Sequence, residues 1–157
     1  MINVRAQELD AILEVLNKEL HAHDHWCNQL HRTLVCRLAP EPSDLVEDAH
    51  RHCDFGKWFY SPNTAYLRQL TGFKKIERLH EAMHAQAREL CDIVKGSWVI
   101  TPKEYDPFLR AMQQFRDELY AVRDRVSETL HKIDTLTGVF RGSQLLPYLE
   151  AMRQQQA

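Results

Sequence analysis

The sequence predicts an all-α fold: an antiparallel helical bundle, four-helix-like, with three long helices and short ones between them. Three observations carry this. The chain of 157 residues holds only 5 Gly and 6 Pro, too few for a loop-rich or disordered chain. Proline falls at positions 40, 42, 62, 102, 107 and 147, leaving three proline-free blocks, 1–39, 63–101 and 108–146. In these blocks apolar residues recur in steps of four and three, the period of one helix face. Strand signals are weak, because β-branched runs such as 98–101 are short and isolated.

In the first block Leu9, Leu13, Leu16, Leu20, His23, Cys27, Leu30 and Leu34 form one continuous seam. A helix is expected from about residue 5 to 38, stopping before Pro40. The stretch 40–62 is turn-rich, with Ser43 expected to cap a short helix. Residues 65–70 read as another short helix, followed by a break at Thr71-Gly72 with Thr71 as N-cap. From Phe73, the positions Ile76, His80, Met83, Ala87, Leu90 and Val94 make the second long seam, and Gly96 is its expected stop. The third long seam runs Phe108, Met112, Phe115, Leu119, Val122, Val126, Thr129, Ile133. It is expected to start with Thr101 as N-cap and Pro102 in the first turn, and to run to about residue 135.

Charge excludes some functions. The 20 Lys+Arg nearly balance 22 Asp+Glu, for a formal net charge of −2, so a nucleic-acid partner has no electrostatic support. No Gly-rich phosphate loop is visible. The N-terminal segment lacks a signal-peptide apolar region, and no apolar run approaches a membrane span. A cytoplasmic protein with no membrane contact is expected.

Histidine is the unusual component: 9 His stand beside 4 Cys. A chain this long needs no disulfide staples, so metal is the more natural use of both. His23 and His80 take seam positions where the pattern asks for Leu, and His84 lies one turn beyond His80 on the same face. A buried imidazole is costly without a partner, and two imidazoles four residues apart can face one cation. His21 and His25 share that spacing on the solvated side. Cys53 lies in the connector beside Phe55, Trp58 and Phe59, and Gly56 permits a close backbone approach there. A thiolate with three imidazoles suits tetrahedral Zn²⁺. Cys27, Cys36 and Cys91 read as small buried hydrophobes, with Cys27 in reserve as a ligand because it is one turn from His23. His31, His50, His52 and His131 read as surface or supporting residues.

These elements together resemble the chemoreceptor zinc-binding (CZB) family. Its pattern of His-x-x-aromatic, Cys-x-hydrophobic-Gly-x-aromatic and His-x-x-x-His is met by His23 to Trp26, by Cys53 through Phe55 and Gly56 to Trp58, and by His80 to His84. The intervals are 26 residues between Trp26 and Cys53 and 21 between Trp58 and His80. The resemblance implies one Zn²⁺ per chain held by His23, Cys53, His80 and His84, with Trp26, Phe55, Gly56 and Trp58 supporting the site. It also implies a homodimer acting as a cytoplasmic sensor.

Asp134-Thr135-Leu136-Thr137-Gly138 looks like the opening of a GGDEF diguanylate cyclase domain, although Val139-Phe140-Arg141 then departs from that pattern. Residues 1–134 are thus expected to be the sensor with its signalling helix, and 135–157 the truncated start of a cyclase domain. No GG[DE]EF signature occurs in this sequence, so the chain itself is expected to be regulatory and not an enzyme. The expected function is allosteric control, with zinc inhibiting a cyclase attached in cis and so lowering cyclic di-GMP synthesis. Four protein ligands would leave no open position for hydrolytic chemistry.

Two other functions compete. Glu77-x-x-His80 and Glu81-x-x-His84 fit a di-iron or oxygen-binding bundle, but both lie on one helix and the first seam offers no carboxylate. A metal-free helical dimerisation module is the other.

Overall fold

A computed structural model describes residues 2–97 and 99–135. The expected cyclase opening lies outside the described residues from 136 onward, and so does Trp98. Among the described residues all regular elements are helical. Three are long: α1 (Ile2–Cys36), α4 (Thr71–Lys95) and α5 (Pro102–Thr135). Between α1 and α4 lie two short helices, α2 (Ala49–His52) and α3 (Asp54–Phe59), and three 3₁₀ turns.

The seams do what their period requires. Leu9, Leu16, Leu20, His23, Cys27, Leu30 and Leu34 are all buried on α1, as are Phe108, Phe115, Leu119, Val122, Val126, Thr129 and Ile133 on α5. Leu13 and Met112 are half-buried at the edge of the same core. Ile12 joins the core from beside the α1 seam, which widens the stripe beyond a strict four–three repeat.

The helix ends correct several expectations. Helix α1 stops two residues earlier than expected, at Cys36. Arg37 turns into the left-handed region at φ 53°, and the Leu38 amide bonds the Thr33 carbonyl at 3.0 Å. This is a terminating turn formed without glycine. Ser43 caps nothing: it lies inside the 3₁₀ turn Pro42–Asp44, whose N-cap is Glu41. The expected helix at 65–70 is a single 3₁₀ turn, Leu67–Gln69, with another, Pro62–Thr64, just before it. Thr64 stops a longer helix here, since its hydroxyl bonds the Trp58 carbonyl at 2.8 Å and the Phe59 carbonyl at 3.0 Å. Thr71 is the first residue of α4, and Leu70 is its N-cap. Gly96 is the C-cap of α4, but the left-handed residue is the following Ser97, at φ 62°.

Helix α5 begins as expected. The Glu104 carboxylate accepts from the Thr101 backbone N–H at 2.9 Å and from the Thr101 hydroxyl, which is the return half of a capping box.

Packing sets the directions. His23 of α1 meets Phe115 of α5, Cys27 meets Met112, and His31 meets Tyr105. On the other side Lys75 of α4 pairs with Glu118, and His80 packs on Phe115. Helix α5 therefore runs antiparallel to both α1 and α4, which run parallel to each other. The connector 37–70 must climb back along the bundle to start α4 part-way along α1, about two and a half turns before the level of His23. Its aromatic anchors Phe55 and Phe59 are fully buried, so α2 and α3 fill the space a fourth helix would take.

Candidate metal centre

Three chain segments deliver the polar residues expected on apolar seams. His23 comes from the middle of α1, Cys53 from the α2–α3 junction, and His80 and His84 from successive turns of α4. His80 is 1% exposed, and His23 and His84 are each 4% exposed. One possible ligand atom from each of the four residues lies within 4.8 Å of every other. Cys53 Sγ is 3.3 Å from His80 Nε2, and His84 Nε2 is 3.2 Å from the same atom. Ligand atoms around one four-coordinate Zn²⁺ stand roughly 3.3–3.6 Å apart, given its bond lengths.

The polar atoms here are poorly satisfied by protein. Both ring nitrogens of His23 and Nδ1 of His84 are buried without a hydrogen bond. Glu19 Oε1 stands 2.8 Å from His23 Nε2. That contact lies off the ring N–H direction, so it is electrostatic rather than a hydrogen bond. Buried polar groups usually have partners, and a set of imidazole nitrogens and a sulfur converging on one point fits a borderline-soft divalent cation.

Burial also sets the protonation. It holds His80 well below the usual imidazole range, with the neighbouring His84, His23 and His50 adding to the effect. The same causes push His84 down to about 3. Both rings are therefore neutral at pH 7, the form that binds metal. Burial raises the Cys53 thiol to about 12, against the pull of the Gly56 N–H and with added repulsion from Glu19 and Asp54. Cys53 is also the N-cap of α3, its sulfur accepting from the Gly56 amide at 3.3 Å. A cation would have to displace the thiol proton.

The supporting residues divide. The Trp26 ring lies 4.8 Å from that of His84, and its indole N–H donates to Asp44 at 3.1 Å. Phe55 packs edge-on against His80 at 5.0 Å. A Cβ on Gly56 would lie 2.0 Å from the His50 carbonyl oxygen, so glycine is what allows α3 to fold back on α2. Trp58 is one layer out, packed on Phe55 at 5.6 Å. Of the signalling-helix residues, Phe115 reaches the cluster: its ring is 4.8 Å from His23 and 5.0 Å from His80.

Three expectations need correction, and of its two expected places, supporting or surface, His50 takes the supporting one. Cys27 is not near the cluster, since its thiol meets Met112 Sδ at 3.2 Å on α5. Cys36 is exposed, because it lies two residues past the buried seam residue Leu34 and so on the opposite face of α1. His50 is buried, its ring 6.4 Å from His80 and its carbonyl accepting from Cys53 Sγ at 3.6 Å. The first helix does carry a carboxylate at the site: Glu19, only 3% exposed. Its position one turn before His23 was the available signal, masked because an isolated Glu reads as a solvated residue. The Glu-x-x-His carboxylates are engaged elsewhere. Glu77 accepts from the Tyr60 hydroxyl at 2.9 Å, and Glu81 is exposed.

Residues 23–91 match the family model described as the chemoreceptor zinc-binding domain. Over this segment the chain is similar to that family. The matched segment contains His23, Cys53, His80 and His84, whereas Glu19 and α5 fall outside it. Over 136 residues the chain is 27% identical to the diguanylate cyclase DgcZ of Escherichia coli (strain K12). That alignment covers 86% of this chain and 45% of the relative, so the chain spans less than half of that protein's length. A solved structure described as the regulatory CZB domain of DgcZ shares the fold, with a TM-score of 0.63 at 24% identity. It covers 75% of this chain and 98% of the solved one. No helix among the described residues is long and apolar enough to cross a membrane.

Proposed function

We propose that the chain is a zinc-sensing regulatory module for a diguanylate cyclase. In this reading His23, Cys53, His80 and His84 are the ligands of one Zn²⁺ per chain. The observation that supports it best is the convergence of one nitrogen or sulfur from each of these residues within 4.8 Å. Bound there, zinc supplies a closed four-coordinate cross-link and no vacant position for hydrolysis.

The protein's own residues do the rest. His23 ties α1, Cys53 ties the connector, and His80 and His84 tie α4, so these three elements lose freedom relative to one another. Phe115 touches His23 and His80, so α5 repacks when the ligand rings reorient. Residues 1–134 then form the sensor, and α5 carries the change towards a cyclase domain in cis that opens at 135–157. Two chains pair as a cytoplasmic homodimer, and the loaded sensor holds the paired cyclases in a less active arrangement. This control requires different zinc affinities in the two arrangements, because equal affinity shifts no equilibrium.

Elemental analysis of protein purified without chelator tests the metal. About one zinc per chain is expected, falling steeply in Cys53→Ala. Unchanged zinc content and affinity in that variant would reject the ligand assignment. With the cyclase attached, Cys53→Ala should raise basal cyclic di-GMP synthesis. Equal activity with and without zinc in the unmodified fusion would sink the regulatory part alone.

A further inference from the structure

Trp26 is a wall of two cavities. One also holds His23 and Cys53 and belongs to the cluster described above. The other, of about 320 Å³, lies between the second half of α1 and the connector. Besides Trp26 its lining includes Leu30, Arg32, Leu38, Glu41 and Asp44. That volume is at the lower end of the range for small-molecule pockets.

Asp44 is the unusual group in this second cavity. Its carboxylate is half-buried and accepts from the Trp26 indole N–H at 3.1 Å. Burial raises the carboxyl above its usual range against the pull of the indole, and the like charge of Glu41 adds to the rise. Among the described residues no cation pairs with it. Arg32 lines the same cavity, yet it is not among the charges that act on Asp44. Other carboxylates drawn towards the protein have cations: Lys75 Nζ lies 2.7 Å from Glu118, and an Arg116 guanidinium nitrogen 2.6 Å from Asp24. An ionised carboxylate withdrawn from water is costly until a cation meets it. The cavity leaves room for one, and Trp26 adds an aromatic wall of the kind that attracts cations.

We propose that this second cavity is a binding site for a small aliphatic amine, its ammonium held by Asp44 beside Trp26 and its hydrocarbon lying on Leu30 and Leu38. Glu41 supplies a further negative charge at the exposed rim. A simple alkylamine and an α-amino acid share this ammonium chemistry, and Arg32 gives the carboxylate of the latter a partner. The inference does not depend on the zinc reading. Trp26 nevertheless joins the two places, because its ring lies 4.8 Å from that of His84.

The test is calorimetric titration of n-pentylamine into the whole chain at pH 7, where the amine is charged. Pentylamine should bind, and n-pentanol, of the same length but neutral, should not. Asp44→Asn keeps the size of the side chain and an oxygen for the indole, and should weaken pentylamine about tenfold. Norleucine is pentylamine with an α-carboxylate and separates the two sources. Tighter binding of norleucine that Arg32→Ala removes assigns the site to amino acids, and binding no tighter than pentylamine assigns it to simple amines. Binding of neither amine overturns the proposal. So does equal binding of pentanol, which would leave an apolar hollow alone. Unchanged pentylamine affinity in an Asp44→Asn protein with wild-type circular dichroism overturns it as well. The comparison of pentylamine with pentanol is made on the wild type, so it decides whether or not a variant folds.

Discussion

At the scale of single residues, the site is a set of groups held in their uncharged forms. The His80 and His84 rings are neutral because burial, and after it the nearby imidazoles of His23 and His50, oppose their charging. Their folded values lie below the ordinary imidazole value of 6.5, so the unfolded chain binds protons that the folded one refuses. Metal-free stability is therefore complete above pH 6.5 and declines as pH falls from there towards about 3, where His84 protonates in the folded state. Urea midpoints of the metal-free protein should drop between pH 7 and 5, and His84→Leu should flatten the profile. A midpoint independent of pH in the wild type would contradict the burial of these rings. Cys53 makes the complementary case. Its thiol is raised to about 12, so at pH 7 it carries a proton that metal binding must expel, whereas the His80 and His84 rings carry none to lose. Calorimetric titration in buffers of different ionisation enthalpy should find about one proton released per ion at pH 7, and about none in Cys53→Ala. Three of these residues were legible in the sequence because an imidazole at a leucine position contradicts its own seam. Glu19 was not. A carboxylate one place off a seam has a ready explanation as surface, and only the third dimension shows it facing His23.

At the scale of elements, the long helices were legible and their ends were not. Period alone identifies α1, α4 and α5, because a core stripe that recurs over many turns has no other explanation. The ends depend on single side-chain bonds and on which residue tolerates φ > 0. Arg37 and Ser97 do so here, where the sequence offers glycine at Gly96. The short helices matter most for function, since α2 and α3 place Cys53. Gly56 is the point of closest approach, with His50 and Arg51 backbone atoms where a Cβ would sit. Gly56→Ala must force α2 and α3 apart, and is expected to cost about 3 kcal/mol in denaturant unfolding, at the upper end for overpacking. It should also weaken metal binding, since it moves the sulfur from the imidazoles. Full metal affinity in a stable Gly56→Ala protein would show that the α2–α3 contact does not position Cys53.

At the scale of the whole molecule, the sequence predicts the layer architecture but misses that α1 and α4 run parallel. Antiparallel neighbours are what short loops dictate, and α1 and α4 are joined by the long segment 37–70 instead. That segment carries its own anchors and returns along the bundle. The parallel pair is what brings His23 level with His80 and His84. A ligand that binds the folded state alone stabilises it by mass action. Zinc at a hundredfold excess over its Kd should add about 2.7 kcal/mol, raising the melting temperature by roughly 5–11 °C for a domain of this size. Scanning calorimetry should show this shift in the wild type and lose most of it in Cys53→Ala. Equal shifts in both would place the ion elsewhere. The position of Phe115 within α5 gives the same helix a mechanical meaning. From Phe115 to the last helical residue, Thr135, α5 extends for roughly 30 Å at 1.5 Å per residue. It is a lever with its fulcrum at the histidine rings. A tilt of only about 4° there swings the far end by about 2 Å over that length. Repacking too small to disturb the core is thus large enough to make or break any contact formed at the far end of α5.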